Sequence, residues 1–119
     1  MNVMTVCSTK GGVGKTSLCA NLGGLVAENG WKVLLIDTDP QPSLSTYYPL
    51  TDQSDYGVTR IFSHVDIEHS ISKTSVSRLD IVISDDPDNK CDAEIKNLPD
   101  GRNRMRSVLL ELNLSLIHI

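Results

Sequence analysis

The chain has 119 residues, 39% of them hydrophobic, and a formal net charge of −4, which sets one small domain as the ceiling and argues against a strongly basic nucleic-acid module. No apolar run approaches the roughly eighteen residues of a membrane span, and no basic segment precedes an apolar stretch at the N-terminus, so the expectation is a soluble, cytoplasmic protein with no membrane partner. Three cysteines, Cys7, Cys19 and Cys91, lack metal-ligand spacing and fit a reducing compartment, with Cys7 and Cys19 expected as small buried apolar residues.

Val3 to Cys7 is a short apolar run with β-branched residues, expected as a strand, and it leads into the glycine-rich turn Ser8 to Ser17. Leu18, Cys19, Leu22, Leu25 and Val26 then recur at helical spacing, predicting a helix of about four turns that buries that face and stops at Gly30. Val33-Leu34-Leu35-Ile36 is apolar without alternation, the pattern of a parallel strand covered on both faces, and it ends at Asp37. A right-handed strand–helix–strand crossover makes the two strands parallel and opens their carboxyl ends on one edge, where α/β sheets bind ligands. Lys15 and Asp37 belong to that edge.

Pro40 and Pro42 break the chain, Ser43 to Tyr48 reads as a short helix, and Asp52 to Asp55 as an exposed polar loop. Gly57 to Phe62 reads as another short helix burying Val58, Ile61 and Phe62. Leu79 to Ile83 is the third expected strand, and Arg102 to Leu112 a helix facing Met105, Val108, Leu109 and Leu112 inward.

The sharpest signal is Gly11-Gly12-Val13-Gly14-Lys15-Thr16 between strand and helix. Glycines let backbone N–H groups close on phosphate oxygens, and the helix N-terminus adds its positive dipole end. Lys15 supplies a point charge for the β- and γ-phosphates and the Thr16 hydroxyl a hard-oxygen ligand for Mg²⁺, so the loop implies a nucleoside triphosphate. The usual spacing places a glycine at position 9, where this chain has Thr9.

The run Lys10-Gly11-Gly12-Val13-Gly14-Lys15-Thr16 instead resembles the deviant phosphate loop of ParA/MinD-type ATPases, and Asp37-Thr38-Asp39-Pro40-Gln41 resembles the second motif of the ParA partition branch. The resemblance implies an α/β fold of the P-loop NTPase type, a parallel sheet flanked by helices, truncated before its Walker B strand. Ile81 to Asp85 has the outward form of a Walker B strand but matches an earlier strand of the family. The implied function is ATP binding and hydrolysis driving plasmid or chromosome partition through an ATP-dependent sandwich dimer. ATP and Mg²⁺ are the implied cofactors; Lys10, Gly11, Gly12, Val13, Gly14, Lys15, Thr16 and Ser17 bind the nucleotide; Thr16 and Asp37 serve the metal. Lys10, Lys15 and Asp39 carry the catalytic roles, Lys10 by reaching the partner's phosphates and Asp39 by positioning the attacking water. A second copy, a centromere-binding ParB-like protein and non-specific DNA held through a C-terminal region are the implied partners, with nucleoid association in a longer parent.

Residues 1–113 are expected to be the N-terminal part of a ParA-like domain. Residues 114–119, Leu-Ser-Leu-Ile-His-Ile, resemble the translation of a transposon-end sequencing adapter and are expected to lie outside the fold; the alternative is a strand in which Leu112, Leu114, Leu116 and His118 alternate with their neighbours. Two other functions stand beside partition: a fragment that binds phosphate without hydrolysis, and a MinD-type membrane-positioning ATPase, which needs a C-terminal amphipathic helix.

Overall fold

The computed structural model describes residues 2–7, 14–64, 67–91, 103 and 105–110. Helix α1 runs over Lys15–Glu28, strand β1 over Val33–Ile36, β2 over Leu50–Asp52, helix α2 over Val58–His64, β3 over Ile71–Thr74 and β4 over Leu79–Val82, with 3-10 turns at Leu44–Thr46 and Glu68–Ser70. The sheet order is β1-β4-β3-β2.

The α/β class is as the sequence implies, while the sheet is mixed where a wholly parallel one was expected. β1 and β4 are parallel, with Val33 opposite Leu79 and Ile36 opposite Val82, and β3 and β2 add to β4 in antiparallel order. The hairpin between β3 and β4 is closed by Thr74, whose hydroxyl donates to the Leu79 carbonyl at 2.6 Å and accepts the Val76 N–H at 3.1 Å, while Arg78 takes a left-handed φ of 67°.

The unalternating run of β1 is explained by its two covers. Leu35, with Leu79 and Ile81 of β4, packs toward Ala20 and Ala27 of α1 and toward Leu44. Leu34 and Ile36 pack on the opposite side with Val58 and Ile61 of α2, Val82 and Val108. Successive strand residues point to opposite faces, so a strand between two helical layers requires an apolar residue at every position. Val58 and Ile61 are buried and Phe62 is half-buried, as expected of that helix; residues 105–110 are helical, with Val108 buried and Met105 and Leu109 half-buried. Leu112 lies outside the described residues.

Two expectations are corrected. Val3 to Cys7 forms no strand: Val3 is 59% and Met4 72% exposed, and Cys7 is exposed rather than buried. Apolar β-branched residues favour a strand only where a neighbouring ladder takes up their backbone groups, and among the described residues this segment has none. Helix α1 also turns a different face inward. Ala20, Gly23 and Ala27 are its buried residues, while Leu18 and Leu25 are more than half exposed and Cys19 is half-buried. The reason is close approach, since a Cβ on Gly23 would stand 2.9 Å from Leu35 Cδ2, so the helix lies too near the sheet for large side chains along that line.

Tyr48 fastens the turn after β1 to the helix. Its hydroxyl donates to the Ala20 carbonyl at 2.7 Å, and a Cβ on Gly24 would stand 2.6 Å from the Tyr48 hydroxyl oxygen. Burial pushes the Tyr48 phenol above its ordinary range, with Tyr47 and Glu28 adding to the shift. Tyr48→Phe is expected to destabilise the fold by about 1 kcal/mol, the net worth of one such hydrogen bond, read from the midpoint of urea unfolding.

Candidate functional site

The site lies where α1 begins and β1 ends. Gly14 precedes the helix in the left-handed region, φ 83° and ψ 16°, a conformation glycine adopts without steric cost. Its carbonyl accepts the Leu18 N–H at 2.9 Å, which closes the first helical turn and places Lys15, Thr16 and Ser17 in the segment whose N–H groups have no intrahelical acceptor. Lys15 and Thr16 are half-buried and Ser17 is exposed. Lys10, Gly11, Gly12 and Val13 lie outside the described residues, as do residues 114–119.

From β1 the chain delivers Asp37 and Asp39 to this helix end. Asp37 is 4% exposed, and its carboxylate accepts three hydrogen bonds: Asp39 N–H on Oδ1 at 3.1 Å, and Ser45 N–H and Ser45 Oγ–H on Oδ2 at 3.0 and 2.6 Å. A buried carboxylate is tolerated only with such donors. Asp39 is more open and pairs with Lys15, Oδ2 to Nζ at 3.3 Å, while Oδ1 accepts the Gln41 N–H at 3.0 Å. The Gln41 N–H, and then Lys15, hold the Asp39 carboxyl below the usual carboxylate range against a burial effect of opposite sign. Cys19 registers the same charges: burial first, then the Asp37 charge, push its thiol up, and Lys15 opposes them. The structure therefore brings Gly14, Lys15, Asp37 and Asp39 together.

Two residues that sequence reading passed over complete this edge. Ser84, just beyond β4, donates its hydroxyl to the Asp39 carbonyl at 2.6 Å, and its N–H donates to Ser45 Oγ at 2.9 Å. Isolated serines in unrelated segments carry no motif, so only the fold reveals the pairing. Asp85 stands apart from this group, its two oxygens taken by Thr59 N–H at 3.0 Å and Thr59 Oγ1 at 2.8 Å at the start of α2. Asp86 is likewise engaged, accepting Cys91 N–H and Lys90 N–H at 2.9 Å each, which hold its carboxyl below the usual range. Among the described residues no cluster of histidine, cysteine and acidic side chains forms a metal cage, and no helix is long and apolar enough to cross a membrane.

A family model described as an AAA domain matches residues 1–115. The chain belongs to that family, in its ParA-type P-loop ATPase branch. The relatives agree. The chain is 41% identical over 86 residues to a virulence plasmid ParA family protein, pGP5-D, of Chlamydia psittaci, covering 71% of this chain and 33% of the relative. It is 32% identical over 84 residues to the sporulation initiation inhibitor protein Soj of Bacillus subtilis, covering 67% and 32%, and 50% identical over 46 residues to the chromosome partitioning protein ParA of Caulobacter vibrioides, covering 39% and 17%. This ParA-type chain thus spans about a third or less of the length of these curated relatives. Its fold matches that of a cobyrinic acid a,c-diamide synthase from Mycobacterium smegmatis, solved with an ATP analogue and magnesium, at a TM-score of 0.78 and 23% identity, covering 89% of this chain and 44% of that one.

Proposed function

We propose that the chain binds ATP with Mg²⁺ at the start of α1 and forms the nucleotide-binding part of a partition ATPase that works as an ATP-dependent sandwich dimer. The observation that carries this reading is the meeting of Lys15, at the head of a helix opened by a left-handed glycine, with Asp37 and Asp39 at the carboxyl end of β1. Lys15 exchanges the Asp39 carboxylate for the β- and γ-phosphate oxygens, and the first-turn N–H groups of α1 receive further phosphate oxygens.

The oxygen donors suit Mg²⁺. Among the described residues three hydrogen bonds reach the Asp37 carboxylate, one on Oδ1 and two on Oδ2, so its remaining capacity on Oδ1 would suit contact with the water shell of a bound Mg²⁺ better than direct ligation. Thr16 supplies the hydroxyl ligand. When bound, Mg²⁺ neutralises charge developing on the phosphates. Asp39, released from Lys15, orients the attacking water, and Lys10 reaches the phosphates of the second copy. In this reading a ParB-like centromere-binding protein stimulates hydrolysis, and the ATP-bound dimer associates with non-specific DNA of the nucleoid. Similarity to three proteins named for ParA or sporulation control supports partition over the membrane-positioning alternative.

Titration with a fluorescent ATP analogue, with Mg²⁺ and with EDTA, tests the site; light scattering with a non-hydrolysable analogue tests assembly. Expected are Mg²⁺-dependent binding, a doubling of mass with the analogue, and loss of that doubling in Lys10→Ala with binding retained. Binding that ignores Mg²⁺, or a mass indifferent to nucleotide, would overturn the reading.

A further inference from the structure

Three chain segments meet at the site edge: the end of β1, the 3-10 turn at Leu44–Thr46 and the end of β4. Two serine hydroxyls join them. Ser45 Oγ lies 2.6 Å from Asp37 Oδ2 and 2.9 Å from the Ser84 nitrogen. The Ser84 N–H only donates and an ionised carboxylate only accepts, so the Ser45 hydroxyl hydrogen has one direction open to it, toward Asp37. Ser84 Oγ is 2.6 Å from the Asp39 carbonyl oxygen, which again only accepts, so the Ser84 hydroxyl donates there. Both rotors are fixed by the chemistry of their partners. Ser45 accounts for two of the three bonds on Asp37, while Ser84 holds both Ser45 and the main chain of Asp39, whose side chain meets Lys15.

We propose that Ser45, oriented by Ser84, is the positioning residue that fixes the Asp37 carboxylate for the water shell of a nucleotide-bound divalent cation. This rests on the Mg²⁺–nucleotide reading above. With both Oδ2 positions filled by Ser45, the remaining capacity of Asp37 lies on Oδ1, and the carboxylate cannot rotate without breaking the Ser45 bonds. Ser45 acts on the metal through Asp37 and touches no phosphate, so its removal affects only the part of nucleotide affinity that Mg²⁺ supplies.

The test measures affinity for a fluorescent ATP analogue in the full chain, with Mg²⁺ and with EDTA, for wild type, Ser45→Ala and Ser45→Thr. Ser45→Ala is expected to weaken Mg²⁺-supported binding about tenfold and to change binding in EDTA less than about twofold, with Ser45→Thr near wild type because it keeps the donor. Equal losses with and without Mg²⁺ would assign Ser45 a merely structural role and overturn the proposal, as would no loss. Wild-type binding indifferent to Mg²⁺ would overturn the nucleotide reading itself, whereas a Mg²⁺-dependent wild type with an unaffected Ser45→Ala overturns this inference alone. If Ser45→Ala does not fold, Ser45→Cys, whose thiol fills the same space and donates weakly, is expected to show a smaller loss confined to Mg²⁺; an unchanged Mg²⁺ dependence in that variant overturns the proposal.

Discussion

Lys15→Ala is expected to weaken Mg²⁺–ATP binding by about a hundredfold or more while leaving the fold nearly as stable as before. The two halves of that expectation have different physical origins. Lys15 Nζ is 3.3 Å from Asp39 Oδ2, with about a third of each side chain open to solvent. Water screens such a pair, and exposed ion pairs contribute about 0–1 kcal/mol, so losing it moves the unfolding midpoint by at most a few degrees. Asp39 keeps the Gln41 N–H. With a triphosphate bound, the same ammonium would stand against several anionic oxygens, and charge-assisted hydrogen bonds contribute about 1.5–3 kcal/mol each. Two of them correspond to roughly a hundredfold in affinity. Fluorescence titration and thermal unfolding of the same sample separate the effects. Retained affinity in Lys15→Ala would remove this lysine from the phosphate site, and a collapse of stability would make it a structural residue.

Gly57→Ala is expected to cost about 2–3 kcal/mol of stability, the largest effect of any single methyl group added to the described glycines. A Cβ at Gly57 runs into the main-chain carbonyl oxygen of Ile83 and stands 2.8 Å from Asp85 Cγ and Oδ1. A flexible side chain swings away from such a clash, but the Ile83 carbonyl is fixed, because it accepts the Val58 N–H at 2.9 Å. Displacing α2 to make room also stretches the Thr59 bonds to Asp85. By contrast, a Cβ at Gly30 meets nothing within 4 Å, and its left-handed φ of 92° makes Gly30→Ala cost only about 1–2 kcal/mol of backbone strain. Thermal unfolding followed by circular dichroism should place Gly57→Ala roughly 10–20 °C below wild type. A midpoint within a few degrees of wild type would show that α2 shifts freely against β4.

Legibility followed hydropathy closely. The helix at 15–28, the strand at 33–36 and the strand at 79–82 were readable because each concentrates apolar residues at its own period, and Asp37 stood out as the first charge after an unbroken apolar strand. β3 was not readable for the same reason inverted. Its inward residues are Ser72 and Thr74, both buried, made acceptable by the Ser54 N–H on Ser72 Oγ at 2.9 Å and by the Thr74 bonds across the hairpin. A strand that turns hydroxyls inward leaves no alternation to find. Strand 50–52 depends on pairing with it and was lost with it. At the site, Lys15 followed from the glycine-rich loop and Asp39 from the resemblance of Asp-Pro-Gln to the ParA motif, whereas Ser45 and Ser84, 39 residues apart, meet only because the turn after β1 folds over the end of β4.

The small-residue seam of α1 reverses the usual rule for redesigning a surface helix. Leu18 and Leu25 look like its anchors, yet in this structure they face outward, and polar replacements there leave the contact with the sheet untouched. Ala20, Gly23 and Ala27 look replaceable, yet each additional carbon there pushes the helix axis off Leu35 and Leu79 and carries the first turn, with Lys15, away with it. Latitude for engineering solubility therefore lies with the large residues of this helix, and constraint with the small ones.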